Sequence, residues 1–146
     1  MKIIKIKLLN ENAKLPSRGS EDAAGWDLYS SNTEDIVVKP GTTFKVPTGI
    51  ATEIPQGYFG GVFPRSGLAT KQGLRLANCV GVIDADYRGE WFIPIYNDTD
   101  VNQIIKPNER IAQMIIIPFY SVDLEEVEEL NDTGRGDGGF GSTGDK

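Results

Sequence analysis

Histidine is absent from this sequence and cysteine occurs once. Without histidine the common zinc and iron ligand sets are out of reach, and a lone cysteine excludes a disulfide within the chain. A reducing, cytoplasmic setting is the default expectation. No apolar run approaches the ~20 residues that span a bilayer. The start, Met1-Lys-Ile-Ile-Lys-Ile-Lys-Leu-Leu9, breaks its apolar residues with lysines where a signal peptide needs a continuous apolar stretch. An excess of positive charge is missing as well: 15 Lys and Arg against 21 Asp and Glu leave a formal charge of −6. A surface for polymeric nucleic acid depends on a basic, phosphate-neutralising face, so that class of partner is excluded. A small anion is not, because a few arginines in a pocket outweigh the net charge locally.

Glycine and proline, by contrast, are plentiful: 17 and 8 of 146 residues, scattered through the chain. The length fits about one domain with its own core. The scatter of turn formers favours many short strands. Residues 2 to 9 alternate loosely, Ile4, Ile6 and Leu8 against Lys5 and Lys7, as in a half-buried strand. Residues 10 to 21 read as a loop. Ala23-Ala-Gly-Trp-Asp-Leu-Tyr29 then suggests a strand that carries Asp27 to its edge, although a turn aspartate reads equally well there. Ile36 to Val38, Thr43 to Val46, Gly49 to Ile54 and Tyr58 to Phe63 are further short strands, parted by Pro40-Gly41, Pro47 and Pro55-Gln-Gly57.

Pro64-Arg-Ser-Gly-Leu-Ala-Thr-Lys-Gln-Gly73 predicts one or two helical turns, with Ser66 as N-cap and Gly73 as stop. Arg65, the Ser66 hydroxyl and the side-chain-free Gly67 make a ready anion site, though a capped helix beside an arginine is common without one. Asn78 to Trp91 has the layout of a β-hairpin: an apolar arm up to Ile83, a charged tip with Asp84, Asp86 and Arg88 around Tyr87, and a return arm from Trp91 to Ile95. Alone it reads as an ordinary surface turn or as a charged end that faces a ligand, with one carboxylate as general base.

Val101 to Ile105 sits between turns, and Arg110 to Pro118 is the most apolar run, a buried strand in which Gln113 stands as the lone amide. Val122 to Leu130, rich in Glu, predicts an exposed strand. The last stretch, 131–144, has six glycines in fourteen residues and a single apolar side chain, Phe140. It cannot fold on its own contacts. It is either a disordered end or a mobile lid: Arg135 to meet charge, Phe140 to stack on a ring, Ser142 and Thr143 to donate hydrogen bonds, and glycines that let amides come close.

Five stretches, taken in order, resemble the motifs of the homotrimeric dUTPases: Ala24-Gly-Trp-Asp-Leu28, Pro64-Arg-Ser-Gly-Leu-Ala69, Gly81-Val-Ile-Asp-Ala-Asp-Tyr-Arg-Gly-Glu90, Glu109-Arg-Ile-Ala-Gln113 and Arg135-Gly-Asp-Gly-Gly-Phe-Gly-Ser-Thr-Gly144. The match spans residues 24 to 144. Departures are Trp26 where another aromatic is usual, Glu109 for an aspartate, and Asp137, which adds a negative charge to the lid. The resemblance implies an all-β, jelly-roll-like β-clip with one short helix, assembled as a homotrimer with sites shared between chains. It divides the chain into a β domain, 1–130, and a flexible glycine-rich lid, 131–146. The implied reaction is hydrolysis of dUTP to dUMP and pyrophosphate, which limits uracil incorporation into DNA and supplies dUMP for thymidylate synthesis.

By the same resemblance one chain gives the phosphate-binding residues Arg65, Ser66, Gly67 and Gln113. A second gives the hairpin that binds the base and sugar: Asn78, Gly81, Val82, Ile83, Tyr87 and Phe92. The third sends over Arg135, Phe140, Gly141, Ser142 and Thr143. Asp84 is the base that deprotonates the attacking water, and Asp27 holds a Mg²⁺ through water, the ion resting on the triphosphate. Such an ion needs only one or two carboxylates when phosphates complete its shell. A base read through backbone N–H and C=O groups of Val82 and its neighbours excludes cytosine, whose edge has the opposite polarity. Tyr87 fills the space of a ribose 2′-hydroxyl, and Gly81 keeps the arm clear for the base. The dCTP deaminases share the Arg-Ser pair but lack the Asp-Ala-Asp-Tyr and Gly-Phe-Gly-Ser-Thr patterns, so deamination is the weaker reading. A regulatory grip on a protein partner, known among phage dUTPases, has no inserted segment here to carry it.

Overall fold

The computed structural model describes residues 3–139. Eleven strands and one helix follow in order: β1 (Lys5–Leu8), β2 (Trp26–Tyr29), β3 (Ile36–Val38), β4 (Thr43–Pro47), β5 (Ile50–Glu53), β6 (Tyr58–Phe63), α1 (Ser66–Gln72), β7 (Leu74–Leu76), β8 (Gly81–Ile83), β9 (Phe92–Asn97), β10 (Gln103–Ile105) and β11 (Arg110–Pro118). They form a four-stranded sheet, β2-β11-β6-β8, a three-stranded sheet, β4-β9-β7, and two ribbons, β1-β5 and β10-β3. Every ladder is antiparallel. Neighbours such as β2 and β11 come from opposite ends of the chain, the long-connection pattern of the all-β, jelly-roll-like class that the turn-rich composition and the motifs led one to expect.

Alternation places the core. Along β9, Ile93, Ile95 and Asn97 point inward while Phe92 is exposed, and Val46 of β4 meets Ile93 across the ladder. These residues close over Leu28, Val38, Ile50, Leu74, Leu76, Trp91, Ile105 and Ile111, all within a few per cent of complete burial. Each aliphatic side chain buried this fully contributes ~1.5–3 kcal/mol. Asn97, buried among them, is fully engaged: its amide donates to the carbonyls of Val38 (2.9 Å) and Val101 (2.7 Å) and accepts from the Thr99 N–H (2.9 Å). It fastens β9 to β3 and to the turn before β10.

Four expectations change. The Asn78–Trp91 stretch is not a paired hairpin: β8 pairs with β6, and β9 pairs with β4 and β7, so its two arms belong to different sheets and the turn between them bridges the sheets. Ser66 is the first helical residue rather than the N-cap, which is Arg65 in extended conformation with no side-chain cap; Gly73 ends the helix at φ 62°, as expected. β7 was not foreseen, because three residues carry too short a pattern to register. Val122 to Leu130 forms no strand. It runs exposed beyond Pro118, since four-residue ladders need a partner edge and this segment meets none among the described residues.

Candidate active site

β11 lies between β2 and β6, and the register sets Gln113 opposite Asp27 on one side and Phe63 on the other. Three distant stretches therefore meet at one point. The Gln113 amide donates to the carbonyl of Pro64 at 2.9 Å. Its Oε1 lies so close over Gly25 that any side chain at that glycine would overlap it. Asp27 accepts from Arg65 Nε at 2.7 Å and from Arg110 Nη1 at 3.1 Å, one carboxylate oxygen to each, while Arg65 Nη1 also donates to the Arg110 carbonyl at 3.3 Å.

The Asp27 side chain is 14% exposed and that of Arg65 25%, so this pair is shielded from water, while Arg110, 51% exposed, stands at the rim. Two guanidiniums share one carboxylate and leave a local surplus of positive charge on a chain of net charge −6. No local signal in the sequence marks Arg110 for a role; only the β2–β11 register shows that it pairs with Asp27. Ser66 and Gly67 sit exposed beside the cluster at the start of α1, and nothing lies within 4 Å of the space a Gly67 side chain would fill.

The second group surrounds the bridging turn. Asp84 follows the last residue of β8 and lines two openings at once. One is a cavity of about 230 Å³ bounded by Lys45, Val82, Ile83, Tyr87, Glu90, Trp91 and Phe92. The other is a wider hollow of about 720 Å³ that also takes in Glu53, Gln56, Asp86, Arg88 and Phe119. Asp86 shares the wider hollow with Asp84 but does not line the smaller cavity. Among the described residues neither the Asp84 nor the Asp86 carboxylate has a hydrogen-bond or ion-pair partner, whereas Glu90 and Glu53 beside them are engaged. Glu90 accepts from the Gly49 N–H at 2.8 Å. A 2.8 Å hydrogen bond from the Lys5 ammonium, with that ion's charge, holds Glu53 below the usual carboxylate range.

Arg88 clamps the turn, donating to the carbonyls of Ala85 (2.7 Å) and Tyr87 (3.2 Å). Tyr87 donates its hydroxyl to the Glu90 carbonyl at 3.0 Å and lies directly over Gly89, where an added Cβ would stand 2.6 Å from the ring. Gly81 is explained by packing too: a side chain there would press on Val62 of β6 at 3.1 Å and approach the Asn78 amide at 3.6 Å.

No hydrogen bond or ion pair joins the two groups among the described residues. Ile83 pairs with Gly60 near the start of β6, whereas Arg65 follows the end of that strand. Gly60 and Phe63 alone are ~10 Å apart at strand rise. Of the tail, Arg135 is exposed and donates to the Gly138 carbonyl at 2.7 Å. Phe140, Gly141, Ser142 and Thr143 lie outside the described residues.

No three acidic or cysteine side chains gather around a common point among the described residues. With both Asp27 oxygens already accepting from arginine, the donor set does not form a closed metal cage.

Residues 11–144 match the dUTPase family model. The chain is 52% identical to the deoxyuridine 5′-triphosphate nucleotidohydrolase of Syntrophotalea carbinolica, over 97% of this chain and 96% of that protein. It superposes on the solved structure of Staphylococcus bacteriophage 80alpha dUTPase with dUpNHpp at a TM-score of 0.86 and 32% identity, covering 99% of each chain. It also superposes on a mutant dUTPase of phage phi11 of S. aureus, whose structure reveals a structural Mg(II) ion, at 0.80 and 29%, over 90% of this chain and all of that one.

Proposed function

The chain belongs to the dUTPase family, and from this premise we propose how it hydrolyses dUTP to dUMP and pyrophosphate. Asp84 is the general base: it takes a proton from a water that attacks the α-phosphorus as the bond to the pyrophosphate oxygen breaks. The observation that supports this reading is the place of Asp84: it is an unpaired carboxylate that lines both openings, whereas Asp86, also unpaired, lines the wider one without the smaller, and Glu90, Glu53 and Asp27 are engaged by an amide, an ammonium and two guanidiniums. A positioned carboxylate base contributes ~10²–10⁴-fold. Arg65, Ser66 and Gln113 hold the phosphates, with Arg110 joined to them through Asp27. Val82, Ile83, Tyr87 and Phe92 enclose the base and sugar, and the Asn78 amide adds a hydrogen-bonding pair. The uracil edge is read by backbone groups, which rejects cytosine because its polarity leaves buried partners unpaired. When bound, Mg²⁺ neutralises charge that builds on the pyrophosphate leaving group.

The site is shared between chains of a homotrimer. Within one chain, Asp84 and Arg65 follow opposite ends of the β6–β8 ladder, and the exposed segment after Pro118 presents Tyr120, Val122, Leu124 and Leu130 to solvent. Apolar exposure of that extent supports burial against another copy. The glycine-rich end from residue 131 acts as the lid that brings Arg135, Phe140, Gly141, Ser142 and Thr143 over the substrate.

Incubation with dUTP and dCTP in the presence of Mg²⁺, following pyrophosphate and ammonia together, tests the reaction. Pyrophosphate from dUTP with neither product from dCTP is expected; ammonia from dCTP would overturn the reading.

A further inference from the structure

Lys45 lies in none of the five motifs, yet it lines the same cavity as Asp84, Tyr87 and Phe92. Its place there follows from register. In the β4–β9 ladder Lys45 faces Pro94 and Pro47 faces Phe92. Lys45 and Phe92 are therefore diagonal neighbours on one face of the ribbon, a separation that long side chains reach across. Val46 and Ile93, one step along, are buried in the core, so alternation turns both Lys45 and Phe92 outward. The Lys45 ammonium rests 4.1 Å from the centre of the Phe92 ring. Among the described residues no ion pair holds it: Asp84 and Glu90 line the cavity too, but neither lies within salt-bridge distance of Lys45. The ring face is its chief described partner.

We propose that Lys45 is a positioning residue for the nucleoside end of the substrate. Held by cation–π attraction, it fixes the plane of the exposed Phe92 ring and so keeps the wall of the cavity in place before the base arrives. This rests on the reading of that cavity as the nucleoside site. The lysine acts through the ring, so its effect is the same for every ligand that carries the deoxyuridine end, whatever the number of phosphates.

The test compares wild type, Lys45→Met and Lys45→Arg by titration calorimetry with deoxyuridine, dUMP and a non-hydrolysable dUTP analogue, alongside steady-state kinetics with dUTP. Lys45→Met keeps the bulk of the stem and removes the charge. A weakening of about two- to five-fold is expected, the strength of an exposed cation–π contact. It should be equal across the three ligands, appear in KM with kcat nearly unchanged, and be restored by Lys45→Arg, whose guanidinium also stacks on rings. A loss that grows with phosphate number would assign Lys45 to charge attraction instead and overturn the proposal. So would an unchanged affinity in Lys45→Met. Failure of the underlying reading looks different: Phe92→Ala and Tyr87→Ala would then leave dUMP binding of the wild-type level intact, whatever Lys45 does.

Discussion

Two glycines decide where two site side chains stand. Gly25 gives Gln113 room to reach the Pro64 carbonyl, and Gly89 lies under the Tyr87 ring. Gly89→Ala should therefore tilt the tyrosine and lower kcat/KM for dUTP on the order of 10- to 10²-fold, the cost of small misplacements in a positioned site. The melting temperature should move little, because the turn is exposed. A kcat/KM equal to wild type would show that Tyr87 has room to spare. Asp27 makes a second prediction. Asp27→Asn leaves the shielded Arg65 without its anion, at a cost of ~1–3 kcal/mol, to be read from urea unfolding at fixed protomer concentration. An unchanged midpoint would mean that the ion pairs are not maintained in solution. The sequence singles out Asp84, Arg65 and Gln113 as candidates through local signals alone: a charged turn, a helix start and a lone amide in an apolar run. The pairing of Asp27 with Arg110, 83 residues apart, was not legible there, since only the register of β2 against β11 creates it.

At the scale of elements, most strands were legible because alternation and Pro-Gly punctuation are local signals. The stretch from Asn78 to Trp91 misled for the same reason: two apolar arms about a polar turn are the local signature of a hairpin, and nothing local shows that each arm prefers a different sheet. The consequence is functional, since a turn that bridges two sheets holds Asp84 at the edge of two openings. The acidic segment after Pro118 kept its alternation without finding a partner strand. The glycine-rich end that follows yields the third prediction. If it closes over bound substrate, a chain ending at Asn131 loses donors that act once water is excluded. Its kcat should fall ~10²-fold, the loss typical of a single preorganised donor, while dUMP affinity changes less. Stopped-flow measurement of turnover and calorimetry with dUMP check both; an unchanged kcat would remove the lid from the mechanism.

For the whole molecule, composition excluded more than it specified. The missing basic excess argued against polymeric nucleic acid, yet the Asp27 cluster collects positive charge at one place. Asp84 and the Arg65 group follow opposite ends of the β6–β8 ladder within one chain, so the proposed shared site needs more than one chain, and the proposed trimer needs three. Light scattering under assay conditions should return three times the 16.0 kDa chain mass. An active monomer would contradict the shared site.

The central claim is that Asp84 serves as base and not as a binding group. Asp84→Asn preserves the shape of the side chain and removes its ability to take a proton. Pyrophosphate release and dUTP affinity should be measured on the same preparation, with Mg²⁺ present. The account predicts kcat lower by ~10²–10⁴-fold with dUTP affinity within a few-fold of wild type. A variant that turns over at a near-normal rate would contradict it.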